Sequence, residues 1–138
     1  MKYSRIHIRT FPTADCGQLS FFEGTRDIPF AMKRFYYICG VEEGKVRGFH
    51  AHKQLKQLLF CPYGGIEIIL DDGKQRESVV LDNPSEGLVL EGGLWREMRW
   101  LKTDSVLCVA VSDYYTEEDY IRDYDMFLEY AKQQEETQ

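Results

Sequence analysis

Short strand-forming runs, broken at close intervals by turn signals, fill most of this chain. From Ser4 to Ser112 the sequence contains about ten such runs of β-branched and aromatic residues, among them RFYYICG, QLLFCP and SVLCVAVS. The clearest pair is GIEIILDDGKQRESVVL, in which Asp72-Gly73 supplies the residues of a tight hairpin turn. This spacing predicts an all-β antiparallel sandwich or barrel, and the number of strands favours a jelly roll.

The character of the chain changes after these strands. Residues 113–138 contain no Gly or Pro and are rich in helix formers toward the end. Thr116 is followed three residues later by Asp119, a pattern that resembles a capping box, so we predict a short helical tail over about residues 116–133. Because no linker or repeat separates the two parts, residues 1–138 are predicted to form a single domain.

The charge and the N-terminal pattern exclude several classes of function. The formal net charge is -6, whereas nucleic acids and anionic membrane surfaces require a basic face. No apolar run is long enough to span a membrane, and the first residues, MKYSRIHIRTF, alternate polar and apolar side chains where a signal peptide would be continuously apolar. We therefore expect a cytoplasmic protein that binds neither nucleic acid nor membrane.

The four cysteines are isolated from one another along the chain. No CxxC pair is present, which removes the usual signals of a zinc knuckle or a dithiol redox site. Cys39, Cys61 and Cys108 lie in apolar runs typical of strands, so we predict that they are small buried hydrophobic residues. Cys16 lies outside such a run and is considered separately below.

Two of the three histidines occur in the stretch RGFHAHK, residues 47–53. In a regular strand alternate residues share a face, so His50 and His52 point the same way and Arg47 points to the opposite face. Imidazole is the side chain best suited to ligate a metal or to exchange protons near neutral pH. The alternative is that both histidines belong to the polar face of a half-exposed strand.

The histidine stretch resembles the first motif of the cupins. The spacing of that motif is carried here by Gly44, His50, His52, Gln57 and Gly64. In metal-binding cupins the two histidines, a glutamate at the position of Gln57 and a histidine at the position of Arg96 form the ligand set. Arginine has no lone pair to offer a metal, so this resemblance implies a cupin jelly-roll barrel without a bound metal; a metal-dependent cupin enzyme is the alternative.

Several longer stretches narrow the resemblance. IPFAMKRFYYI, RGFHAHK, GLWREM and SDYYTEEDYIRDYDMF together resemble the WxcM-like cupin sugar 3,4-ketoisomerases. The resemblance implies an isomerase that converts dTDP-4-keto-6-deoxy-D-glucose to a 3-keto sugar on the way to 3-amino sugars of surface polysaccharides. It also implies that the enzyme acts without a cofactor and forms a homodimer. A sugar-nucleotide binding domain without catalytic activity remains the alternative from another class.

The same resemblance assigns roles to individual residues. It implies that His50 is the base for the C3 proton, that His52 assists proton movement, and that Tyr36 relays a proton between O3 and O4. Strand alternation allows only one of Tyr36 and Tyr37 to share a cavity with the histidines, and the resemblance selects Tyr36.

Binding of the substrate is assigned to a further group of residues. Arg34, Arg47 and Arg96 lie in the matching motifs and would supply the cations that a diphosphate requires, although Arg47 would need a bulge or a neighbouring subunit to reach the site. The resemblance places Cys16 at the sugar pocket as a small residue. It also implies, through Arg96 in the sequence WRE, the gluco-configured product dTDP-3-keto-6-deoxy-D-glucose.

Overall fold

Twelve β-strands and one C-terminal α-helix make up the computed structural model, which describes residues 1–137. The strands, in chain order, are β1 (Tyr3–His7), β2 (Arg9–Pro12), β3 (Gln18–Phe21), β4 (Arg34–Ile38), β5 (Val46–His52), β6 (Gln57–Tyr63), β7 (Ile66–Asp71), β8 (Arg76–Leu81), β9 (Glu86–Leu90), β10 (Trp95–Trp100), β11 (Val106–Val111) and β12 (Tyr120–Ile121). The helix, α1, is Tyr124–Glu136.

The strands form two five-stranded antiparallel sheets and a separate hairpin. The first sheet has the order β1-β9-β6-β11-β4, the second has the order β12-β5-β10-β7-β8, and β2 pairs only with β3. Strands that are distant in sequence lie side by side in both sheets, as in a jelly roll. The predicted all-β fold with a short helical end is confirmed.

The main core lies between the two sheets and follows from alternation along the strands. In β7, Ile66, Ile68 and Leu70 are fully buried, whereas Glu67 and Ile69 are only partly buried. They pack with inward-facing residues of both sheets, including Leu59, Leu88, Leu90, Val109, Val79, Met98 and Trp100. Full burial of each large apolar side chain contributes about 1.5–3 kcal/mol, so this layer holds the sheets together. The predicted hairpin is confirmed as β7 paired with β8.

The helix begins later than the sequence pattern predicted. Thr116 makes no side-chain capping bond, and Glu117–Asp119 form only a short 3-10 turn. The helix starts at Tyr124 behind Asp123, whose carboxylate accepts a backbone N–H of the first turn. The predicted start at Thr116 is wrong because the carboxylate of Asp119 is bonded to another strand and cannot complete a capping box.

Helix α1 covers the outer face of the second sheet. Phe127 is fully buried with Ala51, Trp95 and Ile121, and its ring centroid lies 5.8 Å from that of Trp95. The helix thus closes over β5, β10 and β12, the strands that carry the histidine stretch and its neighbours. No helix within residues 1–137 is long and apolar enough to cross a membrane.

The cysteine prediction is correct in two of three cases. Cys61 and Cys108 are buried, but Cys39 is exposed, and all four cysteines are free thiols. Cys39 follows the last residue of β4 and precedes Gly40, which has a φ of 74°. The chain therefore turns at the point where the apolar run RFYYIC would have continued, which removes Cys39 from the core.

Candidate active site

A cavity of ≈ 350 Å³ opens between β4 of the first sheet and β5, β10 and β12 of the second. Its polar lining comes from Arg34, Tyr36, Arg47, His50, Tyr120 and Arg122. A larger cavity of ≈ 520 Å³ lies beside α1, but its lining contains neither histidine nor arginine. The larger cavity offers lysines, Lys2, Lys53, Lys56 and Lys74, whereas the smaller one combines arginines with a histidine and tyrosines, the groups that can both bind an anion and exchange protons.

A β-bulge in β5 shapes one wall of this cavity. Along the pairing with β10, Arg96 lies opposite His50 and Glu97 lies opposite Gly48, so Phe49 is an extra residue on β5. Gly48 has a φ of 99° and Phe49 has a φ of 55°. A Cβ at residue 48 would lie 2.9 Å from the carbonyl oxygen of Arg96, so only glycine fits here without displacement of a strand.

The bulge decides where Arg47 points. Arg47 lies opposite Met98, which faces the core, and both residues line the cavity with His50. Simple alternation would have placed Arg47 on the other face, and the sequence predicted that Arg47 needs a bulge or a neighbouring subunit to reach the site; the bulge is present. The extra residue reverses the alternation between Arg47 and His50, and the bulge that the sequence could not show brings both to one side.

The two predicted histidines lie next to each other at different depths. His50 is half-buried and lines the cavity, whereas His52 has no exposed surface. Their ring centroids are 5.0 Å apart, and the ring of Tyr120 is 4.3 Å from His52. Burial and, secondly, the charge of Arg96 lower the pKa of His50 to about 4. The same two causes lower the pKa of His52 to about 2, so both imidazoles are neutral near pH 7.

His52 is held by a carboxylate that comes from the segment before β12. Its Nδ1 lies 3.0 Å from Oδ2 of Asp119. Because the pKa of His52 is lowered by burial and by Arg96, this contact is a hydrogen bond from a neutral ring and not an ion pair. Within residues 1–137, Nε2 of His52 has no hydrogen-bond partner.

Arg96 lies beneath the cavity and makes its bonds inside the protein. It is 2% exposed, its Nη1 donates to Oε1 of Gln57, and its Nε and Nη2 donate to the carbonyl of Leu94 at 3.3 and 3.1 Å. Burial lowers its pKa to about 10, so the guanidinium stays charged near neutral pH. Arg96 does not line the cavity, and this placement gives no support to the expected contact with a diphosphate.

The residues at the cupin metal position do not fit a divalent metal ion. A permanent cation, Arg96, is bonded to the amide of Gln57 where metal-binding cupins have two ligands. Neutral histidines alone supply too few donors for a stable site. In the part of the chain that the structure describes, no group of three or more His, Cys, Asp or Glu side chains could hold a metal.

The structure brings Tyr36 and not Tyr37 to the cavity. Tyr36 lines it, whereas Tyr37 is 64% exposed. Nε2 of Gln57 donates to the hydroxyl oxygen of Tyr36 at 3.4 Å, and burial raises the pKa of this phenol. Tyr36 is therefore neutral and can donate its own proton into the cavity.

The cationic groups of the cavity differ in how well they are paired. Nε and Nη2 of Arg34 are buried and have no partner among the described residues, although the guanidinium lies 5.6 Å from the Tyr115 ring. Arg122 stands 4.1 Å above the ring of Tyr120 and donates to Glu117. Buried donors without partners usually mark a missing acceptor, so Arg34 points to an anionic ligand.

Cys16 is the predicted site residue that the chain does not bring to the cavity. It is exposed in the turn between β2 and β3 and does not line the cavity of His50. Within one chain, the predicted site residues therefore divide into His50, Tyr36, Arg34 and Arg47 in the lining, His52 and Arg96 behind it, and Cys16 outside.

Three residues of the site were missed by sequence reasoning. Asp119 contacts His52 although they are 67 positions apart, and no local pattern signals such a pair. Tyr120 and Arg122 lie in the stretch SDYYTEEDYIRDYDMF, which the sequence pattern assigned to the helical tail and the resemblance matched as a whole, without a role for either residue. Strand β12 is two residues long, too short for a periodic pattern to reveal which side chain faces the cavity.

The fold and the cavity together define an enzyme of the cupin class, suited to proton transfer on an anionic small molecule. The chain belongs to the family of WxcM-like sugar 3,4-ketoisomerases, since the family model described as FdtA, WxcM-like, C-terminal, matches residues 1–132. The motifs in the sequence predicted this family, and that prediction is confirmed.

Individual relatives agree with the family assignment. The TDP-4-oxo-6-deoxy-alpha-D-glucose-3,4-oxoisomerase of Aneurinibacillus thermoaerophilus is 46% identical over 114 residues, which are 83% of this chain and 82% of that protein. The sugar 3,4-ketoisomerase QdtA from Thermoanaerobacterium thermosaccharolyticum, solved in complex with TDP, is similar with a TM-score of 0.92 and 38% identity over 96% of each chain. A dTDP-4-dehydrorhamnose 3,5-epimerase from Bacillus anthracis, 17% identical over 86% of this chain and 76% of that chain with a TM-score of 0.75, shares the fold alone.

Proposed function

We propose that this protein moves the ketone of dTDP-4-keto-6-deoxy-D-glucose from C4 to C3 by acid–base catalysis. The observation that carries the proposal is that three groups line one cavity. They are the neutral imidazole of His50, the neutral phenol of Tyr36 and the guanidinium of Arg34, whose buried Nε and Nη2 have no partner among the described residues. The relatives from Aneurinibacillus and Thermoanaerobacterium support the choice of substrate. The cytoplasmic location expected from the sequence belongs to the same proposal.

In the first step His50 removes the proton from C3 of the sugar. The electron pair of the C3–H bond forms the C3–C4 double bond, and the C4 carbonyl oxygen becomes an enolate that must receive a proton. A base can act here only if it is unprotonated at the working pH. The lowered pKa of His50, caused by burial and by Arg96, supports this role.

In the second step Tyr36 exchanges protons with the two oxygens. Its phenol donates to O4 and so produces the enediol, and it then takes the proton from O3 as the C3 carbonyl forms. Protonation of C4 by His50 completes the isomerisation and returns both residues to their starting states. The amide of Gln57, which donates to the Tyr36 oxygen at 3.4 Å, leaves the phenolic proton free for the substrate.

The diphosphate of the substrate is assigned to Arg34 and Arg47. Both line the cavity, and a guanidinium binds phosphate oxygens through two parallel N–H donors. Arg96 lies below the cavity, so its proposed role is different. We assign to it the sugar end of the site, where it sets which face of the enediol is protonated and so gives the gluco-configured 3-keto product.

The proposal includes a homodimer in which Cys16 belongs to the site of the other copy. The β2–β3 hairpin stands apart from both sheets, and its Phe11 and Leu19 are 51% and 53% exposed. Exposed apolar side chains on a projecting hairpin are typical of an interface. A second copy would cover them, and its hairpin is the element able to carry Cys16 to a sugar pocket that its own chain does not reach.

Incubation with the proposed substrate in heavy water tests the activity directly. We expect proton NMR to show the 3-keto product with deuterium at C4 and the gluco configuration. His50→Asn should lose nearly all turnover yet still bind dTDP, whereas His7→Asn, a change on β1 outside the cavity, should behave as the unaltered protein.

The alternatives give different results in the same assay. Binding of the nucleotide without any 3-keto product would show a non-catalytic sugar-nucleotide binding domain. Turnover that is abolished by a chelator and restored by one divalent metal would show a metal-dependent cupin enzyme. A galacto-configured product would contradict the assignment made to Arg96, and Arg96→His is the variant that tests whether this residue controls the C4 configuration.

A further inference from the structure

Asp119 is the one carboxylate that contacts a histidine of the site through a hydrogen bond, among residues 1–137. Its two oxygens have different partners: Oδ2 lies 3.0 Å from Nδ1 of His52, and Oδ1 accepts the backbone N–H of Gln54 at 2.8 Å. The residue is only 8% exposed. Both oxygens are thus used inside the protein, and neither serves as a surface charge.

The main chain holds Asp119 in place independently of its side chain. Its carbonyl oxygen accepts the N–H of Lys53 at 2.9 Å, so the short turn before β12 is tied to the end of β5 by the backbone. The following residue, Tyr120, pairs with His52 itself. A substitution of the Asp119 side chain therefore leaves the local backbone anchored, and its effect can be attributed to the lost carboxylate.

We infer that Asp119 is a positioning residue that holds His52 as the tautomer protonated on Nδ1 and so keeps Nε2 as a hydrogen-bond acceptor on the ring that lies behind His50. The inference rests on the proposed function for its catalytic meaning, but the tautomer is a property of the free protein. A carboxylate only accepts hydrogen bonds, so the ring nitrogen that faces it must carry the proton. Nε2 then has a free lone pair, and it lacks a partner in the described chain.

This unpaired acceptor is the second observation that supports a role in proton transfer. A buried acceptor without a donor is costly, and such atoms persist mainly where a ligand or a reaction uses them. His52 lies behind His50, with 5.0 Å between the ring centroids. A lone pair on Nε2 at this depth can accept a hydrogen bond from an N–H or O–H group of the site, whereas the opposite tautomer would present an N–H and could not.

The informative variant is Asp119→Asn, because the structure fixes how its amide is oriented. The backbone N–H of Gln54 requires an acceptor, so the amide oxygen stays on that side and the NH2 group faces Nδ1 of His52. An NH2 group can only donate, and His52 is thereby forced to carry its proton on Nε2. The change keeps the size of the side chain and reverses the tautomer.

Nitrogen NMR of protein labelled at histidine measures this directly, with His7→Gln and His50→Asn used to assign the signals. We expect His52 to be protonated on Nδ1 in the unaltered protein and on Nε2 in Asp119→Asn. We expect kcat to fall by about 10²-fold or more in the variant, in line with loss of an acid–base group, while KM changes little. Glu118→Gln, an exposed neighbour in the same turn, is the matched control and should change neither readout.

Two results would overturn the inference: a His52 protonated on Nε2 in the unaltered protein, or a kcat for Asp119→Asn within a few-fold of the starting value. If Asp119→Asn does not fold, the tautomer of the unaltered protein still decides the matter. A protein that shows the Nδ1–H tautomer but does not isomerise the keto sugar would contradict the proposed function and leave the hydrogen-bond assignment intact.

Discussion

At the scale of single residues, Arg96 sets the charge state of the site from a position that solvent does not reach. It is 2% exposed and lowers the pKa of both His50 and His52, second only to burial. A buried positive charge disfavours a second positive charge nearby. Arg96 therefore keeps two histidines in the neutral form that proton abstraction requires.

Removal of this charge should shift the pH dependence of the enzyme. His50 is active when unprotonated, and its pKa of about 4 predicts that kcat/KM is lost only as the pH falls through about 4. In Arg96→Gln the pKa of His50 should rise toward the ordinary 6.5, so the loss should begin at higher pH. Burial and Arg122 still lower the pKa of His50 in the variant, and the smaller raising effect of Glu117 does not offset burial, the largest cause, so the pKa should remain below 6.5.

The measurement is the pH profile of kcat/KM for both proteins. Arg99→Gln is the control, because Arg99 lies on the same strand but is exposed and paired with Glu67, and its profile should match that of the unaltered protein. An acid limb that stays near pH 4 in Arg96→Gln would show that burial alone keeps His50 neutral.

The two neighbouring tyrosines offer a second test at this scale. Tyr36→Phe removes the phenol that is proposed to exchange protons with both sugar oxygens, and turnover should fall by about 10²–10⁴-fold. Tyr37→Phe changes an exposed ring on the other face of β4 and should leave turnover near its starting value. Steady-state rates with dTDP-4-keto-6-deoxyglucose measure both, and equal losses in the two variants would contradict the assignment.

The residues that sequence reasoning located are those with a local signal. His50 and Tyr36 sit in recognisable motifs, and alternation along β4 correctly separated Tyr36 from Tyr37. Asp119 could not be found in this way, because its contact with His52 depends on how β12 pairs with β5. Its apparent pairing with Thr116 in a capping box was a local pattern that tertiary contacts overrode.

At the scale of secondary-structure elements, the bulge in β5 determines which side chains share the cavity. A strand of strict period two would point Arg47 and His50 to opposite faces. The extra residue Phe49 changes that, and the sequence RGF contains a glycine but no pattern that specifies a bulge. The strands themselves were predictable, because residues such as Ile66, Ile68 and Leu70 carry their alternation in the sequence.

Gly48→Ala tests this element. The residue has a positive φ, and an added Cβ would lie 2.9 Å from both the Arg96 carbonyl oxygen and Sδ of Met98. The backbone conformation alone costs about 1 kcal/mol for a residue other than glycine, and the contact adds to this. We expect the free energy of unfolding to fall by about 2 kcal/mol or more and kcat to fall as Arg47 and His50 move.

Gly44→Ala is the matched control for the bulge. Gly44 also has a positive φ, of 88°, but an added Cβ there meets no atom within 4 Å. Its loss of stability should be about 1 kcal/mol, with turnover unchanged. Urea unfolding and steady-state rates compare the two variants, and equal effects on both measurements would show that close packing at residue 48 does not matter.

Phe127 is the buried side chain through which helix α1 packs most deeply on the second sheet, beside partly buried neighbours such as Tyr124 and Leu128. Phe127 is fully buried against Trp95, and Phe127→Ala should lower the free energy of unfolding by about 3–5 kcal/mol, the usual cost of such a cavity. The adjacent Met126 is 67% exposed, so Met126→Ala should change stability by less than about 0.5 kcal/mol. A small effect of Phe127→Ala in urea unfolding would show that the helix contributes little to the fold.

At the scale of the whole molecule, an acidic protein brings four of its arginines together at one cavity. The net charge is -6, yet Arg34, Arg47 and Arg122 line the same cavity and Arg96 lies beneath it. The overall charge argues against nucleic acid as a partner but does not locate an anion site. The arginines are far apart in the sequence, and they converge on one cavity only because β4, β5 and β12 meet there in the fold.

Assembly is the property of the whole molecule that can be tested most simply. We expect light scattering to give the mass of a dimer for the unaltered protein and of a monomer for Phe11→Ser with Leu19→Ser, because these changes remove apolar area from the exposed hairpin. Turnover should fall with dissociation if Cys16 completes the other site. Val80→Ser, on β8 and 41% exposed, should remain dimeric, and a dimeric hairpin variant would place the interface elsewhere.

The buried pair of Arg96 and Gln57 has a consequence for how far the enzyme depends on the supply of metal ions in a cell. A positive charge that belongs to the polypeptide is present in every copy from the moment of synthesis. It cannot dissociate on dilution, exchange for a competing ion, or be withdrawn by another binder, since no equilibrium of binding is involved. We therefore expect the isomerisation to run at the same rate in protein prepared from metal-depleted and from metal-supplemented medium, and a rate that falls on depletion would contradict this reading of the pair.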